Sequence, residues 1–215
     1  MSLLMDTTLK GFNNLLASST PAPGGGSVAA LAGVLGSALT VMVVELSTGK
    51  KSYQVLDDHI KEKIAADYTA VKLLNTELAQ LVDEDTKAFN QVMEAMRLPK
   101  TSEEERAKRT KKLENANLCA LKVPLEVAGK CLSVLRHQIN IAQYGNKNAV
   151  SDIGVGALLA FAGVEGAALN VKINLSGITD QSVKKDALQK ISSFMAEGEK
   201  IKSQIIAIVN NRIEK

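Results

Sequence analysis

The chain has 215 residues, of which 46% are hydrophobic and 23% charged. That is the make-up of an ordinary globular protein, and the length suits one large domain better than two small ones. A net charge of +3, with basic residues alternating with acids along presumptive helix faces, argues against a nucleic-acid-binding class. Aromatics reach only 3% and Trp is absent, so Ala, Leu, Val and Ile must fill the core.

A hydrophobic period of 3.6 recurs along the chain and period two is nearly absent, which predicts an all-α fold. A first helix is expected over Leu4 to Leu16, stopped by Ser18-Ser19-Thr20-Pro21. The segment PAPGGGSVAALAGVLGSALTVMVVEL (21–46) follows. It predicts an uncharged helix of small residues, capped by Ser27 and running to about Leu46. Its ridges of Ala29, Gly33, Ser37 and Ala32, Gly36, Thr40 permit close helix crossings. A long helix is expected from Asp57 to Arg97. Leu98-Pro99-Lys100 ends it, and Thr101 or Ser102 with Glu104 or Glu105 restarts a helix through a capping box. Pro124 interrupts or kinks this third long segment before about Ile141. After a turn-rich loop at Tyr144–Asn148, a second small-residue helix runs from Ser151 to Asn170, and a final amphipathic helix from Asp180 to Arg212. The expectation is one domain, 1–215, a multi-helical bundle with two central small-residue helices. The Val28–Val44 stretch is long enough to span a bilayer, but its small residues and soluble-type neighbours favour a buried central helix. No signal peptide is expected at the N-terminus.

Few residues invite chemistry. Gly24, Gly25 and Gly26 open a helix, where free N–H groups and the helix dipole favour an anion and glycine allows positive φ. The run is neither a Walker A loop nor GxGxxG, so a ligand site and a tight turn both stand. Leu78, Val82, Phe89, Val92 and Met96 form an apolar seam, and Asp85 falls on it. A carboxylate there must be paired, neutral or functional. Asp83 and Glu84 fall on other faces and are expected to be solvated. Asp152 with Ser151 opens the second small-residue helix, as a cap or as a functional acid. Glu165 sits within that apolar helix and raises the same burial question. Asn170 and Asn174, four apart, share a face that either reads the edge of a heterocycle or caps the helix end. Cys119 and Cys131 are read as buried free thiols of a reducing cytoplasm, with no disulfide framework or zinc site signalled. His59 and His137 lack ligand-spaced partners, and no nucleophile motif occurs, which leaves acid–base work by carboxylates, Lys or Tyr.

The ordered set PAPGGGSVAALAG, TGKKSY, LVDEDTKAF, LPK before an acidic helix start, VPLEVA, GNKNAVSDIGVGALLA and NVKINL resembles the cyclodeaminase/cyclohydrolase family. That family comprises the C-terminal domain of formiminotransferase-cyclodeaminase and its free-standing methenyltetrahydrofolate cyclohydrolase relatives. The likeness extends from about Pro21 to Leu175.

This resemblance implies an all-helical fold that oligomerises through its helices, here as a homodimer, and a tetrahydrofolate substrate, polyglutamylated or not. It implies no metal or redox cofactor, and neither nucleic acid nor membrane as partner. The implied reactions are hydrolysis of 5,10-methenyltetrahydrofolate to 10-formyltetrahydrofolate, or closure of 5-formiminotetrahydrofolate to the methenyl compound with loss of ammonia. A non-catalytic folate-binding or scaffold protein is a third possibility. With no formiminotransferase domain in the stretch, cyclohydrolase is the expectation. Mapped onto this sequence, Asp85 and Asp152 are the catalytic acids, and Gly24 to Ser27 approach the folate. Lys50, Lys51 and Tyr53 hold its anionic end or relay protons, and Asn146, Asn170 and Asn174 contact the pterin or tail.

Overall fold

A computed structural model describes residues 3–214. It carries seven α-helices: α1 (Leu9–Leu16), α2 (Gly25–Thr48), α3 (Lys51–Gln54), α4 (Asp58–Arg97), α5 (Glu103–Tyr144), α6 (Val150–Asn174) and α7 (Gln181–Ile213). Single 3-10 turns lie at Leu4–Asp6, Lys147–Ala149 and Leu175–Gly177, and no strand occurs among the described residues. The all-α expectation is met.

Local chemistry sets the boundaries. The first helix expected over Leu4–Leu16 is split, because Thr7 and Thr8 are extended and Thr8 caps α1 by accepting the Gly11 N–H at 3.0 Å. Ahead of the split, the Leu4 N–H donates to Asp83 Oδ1 at 2.6 Å. Asp83 is therefore not solvated: the N-terminal turn covers its face of α4 and leaves it 9% exposed. Ser102 and Glu105 form the expected capping box at the start of α5. That helix runs unbroken through Pro124, so the proline ends nothing. Ala149, not Ser151, is the N-cap of α6, which places Ser151 and Asp152 in its first turn. Asp180 caps α7 by accepting from the N–H groups of Ser182 and Val183.

Helices α2, α4, α5 and α6 form a ring of antiparallel neighbours, and α7 lies in the groove between α5 and α6. At 1.5 Å per residue α2 and α6 are each about 36 Å long, whereas the α4–α5 hairpin is about 60 Å and overshoots them. The small residues let α2 and α6 touch backbone to backbone. A Cβ added at Gly36 meets the Gly156 carbonyl oxygen at 2.7 Å, and one at Gly163 meets the Ala29 carbonyl oxygen at 2.9 Å. Cys131 of α5 fills the remaining gap, where Cβ atoms at Gly33 and Gly163 would meet its Sγ at 2.5 and 2.6 Å. Complete burial pushes that thiol up to about 12, so it stays protonated. Cys119, by contrast, is exposed, so only one of the two cysteines belongs to the core.

By length and composition, α2 and the segment from Lys147 to Gly177 are apolar enough to cross a membrane. In the fold 56% of each such stretch is buried in the bundle, because these two helices pack against each other as adjoining walls of the ring.

Candidate active site

At the end of the ring where α2 begins and α6 ends, the overshooting hairpin leaves a cavity of about 560 Å³, within the range of small-molecule sites. Pro21, Gly24, Gly25 and Gly26 form one wall, and Phe89, Val92 and Met96 of α4 another. Leu113 and Asn117 of α5, with Asn170, Ile173 and Asn174 of α6, complete it. Asp85 is the one charged side chain in this lining.

Asp85 sits over the first turn of α2. Its Oδ2 accepts the Ser27 N–H at 2.9 Å and lies 3.1 Å from the Ser27 hydroxyl, which also reaches the Val82 carbonyl oxygen at 2.9 Å. Ser27 is fully buried. It is thus the third residue of α2 and a support for Asp85, not the cap; Gly24 is the N-cap. None of the three glycines takes a positive φ. Their use is proximity: a Cβ on Gly26 would lie 2.0 Å from Asp85 Oδ1. The anion favoured at this helix N-terminus is therefore the chain's own carboxylate.

No ion pair to Asp85 exists among the described residues, so it is not half of a structural salt bridge. Burial raises its carboxyl above the ordinary range, and the hydrogen bonds from the Ser27 hydroxyl and N–H oppose that rise. An unpaired carboxylate, dry on one side and open to a cavity on the other, is suited to move a proton or to face a developing cation.

The amides around it are oriented by backbone. Asn170 donates to Gly166 O at 2.8 Å, Asn174 to Ala120 O at 2.7 Å and Asn117 to Gly177 O at 2.8 Å. Their Oδ1 atoms accept nothing within the described chain and are not buried. The cavity is therefore lined by three amides, each with an oxygen and a second N–H unused within the described chain, beside a carboxylate and apolar walls. Such a lining fits a flat heterocycle with N–H groups on its edge. Asn117 escaped the sequence reading. It was accessible there, since Leu113, Asn117 and Ala120 share a helix face, just as Asp85 shares one with Val82 and Phe89.

The remaining candidates lie elsewhere. Lys50, Lys51 and Tyr53 follow the C-terminal end of α2, and Asp152 is in the first turn of α6. Asn146 ties these ends together, donating through Nδ2 to Leu46 O at 3.1 Å and through its N–H to Ser47 Oγ at 2.7 Å. None of the five lines the cavity. Antiparallel packing of α2 and α6 gathers them at the opposite end, about 30 Å away. Within one chain Asp85 and Asp152 do not share a site. Glu165 is exposed on α6, so it carries no burial cost.

Fold and site together define a helical bundle built around one unpaired carboxylate at a helix N-terminus. Residues 8–193 match the family described as Formiminotransferase-cyclodeaminase, and the chain belongs to that family. It is 35% identical to the methenyltetrahydrofolate cyclohydrolase of Methylorubrum extorquens, over 96% of this chain and 97% of that one. It is also 35% identical to the formimidoyltransferase-cyclodeaminase of Gallus gallus, over 97% of this chain but 38% of that protein, so it spans well under half of that relative. The crystal structure of formiminotetrahydrofolate cyclodeaminase from Thermotoga maritima shares the fold. Its TM-score is 0.83 at 28% identity, covering 96% of this chain and 97% of that one.

Proposed function

We propose that the protein is a methenyltetrahydrofolate cyclohydrolase, with Asp85 as its acid–base group. The observation that carries the reading is the unpaired Asp85 carboxylate in a cavity lined by amides and apolar side chains, in a chain aligned almost end to end with a cyclohydrolase. The substrate carbon between N5 and N10 belongs to a cationic amidinium. Asp85 faces that cation and takes a proton from water as the water oxygen bonds to the carbon. As the tetrahedral adduct collapses, the carbon–N5 bond breaks and Asp85 returns its proton to N5. The adduct's hydroxyl proton passes to solvent, leaving the 10-formyl product. Positioned acid–base catalysis contributes roughly 10²–10⁴-fold. The amide oxygens of Asn117, Asn170 and Asn174 accept from the N–H edge of the pterin. In this reading the protein acts in the cytoplasm as a homodimer, on tetrahydrofolates with or without polyglutamate tails, using no metal or redox cofactor.

A second reading is cyclodeaminase, favoured by the Thermotoga maritima structure and the formimidoyltransferase-cyclodeaminase relatives. There N10 attacks the carbon of the protonated formimino group while Asp85 takes the N10 proton, and Asp85 then hands that proton to the resulting amino group, which departs as ammonia to leave the methenyl cation. Absorbance of the methenyl chromophore separates the two. Enzyme-dependent decay supports cyclohydrolase, and growth from 5-formiminotetrahydrofolate supports cyclodeaminase. If neither occurs and no folate binds, the catalytic reading is wrong and a scaffold role stands.

A further inference from the structure

The overshooting end of the α4–α5 hairpin is basic. Between Arg97 and Lys112 the chain carries seven Lys and Arg against three Glu, and none of those cations forms an ion pair among the described residues. Six of the seven are exposed, whereas Arg109 is half-buried. Its Nε and Nη2 donate to the Met96 carbonyl oxygen at 3.4 and 3.3 Å, so the guanidinium lies across the C-terminal end of α4. Met96 lines the cavity, and so does Leu113, one turn along α5 from Arg109. Arg109 therefore stands at the cavity rim.

That contact also sets the register of the hairpin. Counting back from it along antiparallel helices puts Leu113 opposite Val92, Asn117 opposite Ala88 and Ala120 opposite Asp85, and all six line the cavity. The cavity is thus a trough along the hairpin, with the Asp85 carboxylate near one end and the Arg109 guanidinium at the other. From Asp85 to Met96 the helix rises ~16 Å. Between the two charges Phe89, Val92 and Leu113 are apolar.

This order of groups is the order within the substrate. In a folate the reacting carbon is joined through N10 to an aromatic ring, and the ring to a glutamate with two carboxylates. Ring and glutamate together are about as long as four extended residues, ~13 Å, which fits the trough. The guanidinium has five N–H groups, and the Met96 carbonyl takes one from Nε and one from Nη2. The remaining three, two on Nη1 and one on Nη2, have no acceptor among the described residues. They form the edge that meets a carboxylate through two parallel hydrogen bonds.

We propose that Arg109 holds a carboxylate of the folate's glutamate through this free edge, so that the hairpin tip is the tail-binding end of the site. The aminobenzoyl ring then lies along Phe89, Val92 and Leu113, and the reacting carbon falls at Asp85. The inference rests on the folate reading above for its ligand.

The test compares two substrates, 5,10-methenyltetrahydrofolate and the same compound with its glutamate replaced by methylamine, which leaves an uncharged amide. The wild-type KM is expected to be about tenfold or more higher for the methylamide, the loss of a charged contact. Arg109→Ala is expected to raise KM for the folate by a similar factor with kcat within about twofold, and to leave KM for the methylamide within about twofold. Arg109→Gln keeps an N–H₂ group for the Met96 carbonyl but loses the charged fork, and should behave as Arg109→Ala does with its helical circular dichroism intact. An arginine that served only to cap α4 would affect both substrates alike. Equal losses on the two substrates, a wild type indifferent to the tail, or a Gln variant with wild-type KM for the folate overturns the proposal. Should neither substrate turn over, calorimetry with tetrahydrofolate separates the two readings. Binding that weakens about tenfold in Arg109→Ala refutes the catalytic reading and leaves the tail site standing, and binding that is absent or unchanged overturns the tail site too.

Discussion

Replacing Gly26 with Ala puts one methyl group where the structure has least room for it. The new Cβ would lie 2.0 Å from Asp85 Oδ1, 2.5 Å from its Cγ and 2.7 Å from Oδ2. Ordinary carbon–oxygen contact needs more than 3 Å, so the carboxylate must retreat by roughly 1 Å or more. It is the end of a side chain facing an open cavity, and it can rotate away. That movement sacrifices the 2.9 Å bond from the Ser27 N–H, a charged hydrogen bond worth about 1.5–3 kcal/mol. The better helix propensity of Ala offsets up to about 1 kcal/mol of this. The net expectation is a modest fall in stability and a large fall in activity, since a displacement of about 1 Å in a catalytic group costs on the order of 100-fold. Turnover of the methenyl substrate and a urea melt read the two effects separately. In the Asp85→Asn background, Gly26→Ala should add little further loss of turnover, because the two changes act on one carboxylate. A Gly26→Ala protein within about twofold of wild-type kcat/KM would refute the reasoning, as would full additivity with Asp85→Asn.

Asp85→Asn should cut turnover at least about 100-fold without lowering the urea midpoint at neutral pH. Burial raises the folded pKa of Asp85, so its stabilising contribution is present at low pH and is lost as pH rises through that value; a lower midpoint at pH 7 would mark a structural role. For the wild type, kcat/KM should fall as pH drops through the raised Asp85 pKa, since a base must be ionised. Ser27→Ala removes a hydrogen bond that lowers that pKa, so this acid limb should move to higher pH; an unmoved limb would show that Ser27 does not tune Asp85. Gly36→Ala drives a methyl against the Gly156 carbonyl oxygen at 2.7 Å and should destabilise by about 1–3 kcal/mol, a loss a urea melt will report or deny. Asn117→Ala should raise KM several-fold with kcat little changed, roughly the value of one neutral hydrogen bond, and unaltered kinetics would remove Asn117 from the site.

Much of the fold was legible before any coordinates. The 3.6 period predicts helices because one face of each must leave water, and the stops at Leu98–Ser102 and Tyr144–Asn148 follow from proline, glycine and capping chemistry. Asp85 was legible for a related reason: a carboxylate on an apolar stripe is a local contradiction, and such contradictions mark sites. The same logic would have found Asn117. It failed for Asp83, because what buries Asp83 is the N-terminal turn, a contact from 79 residues away. Ser27 shows the same limit. Its capping chemistry is a local property, but its partner here, Asp85, comes from another helix.

What the sequence by itself determined is therefore local: helix positions, the small-residue ridges of α2 and α6, and the acids set against their surroundings. Tertiary structure alone decided which of these meet. Antiparallel packing through the Gly36–Gly156 contact puts Gly24–Ser27 beside Asn170 and Asn174, and sends Lys50, Lys51, Tyr53, Asn146 and Asp152 to the far end. Residue spacing reports which face of a helix a side chain occupies. The direction of the neighbouring helix, set by how backbones fit at the crossing, determines what that face touches.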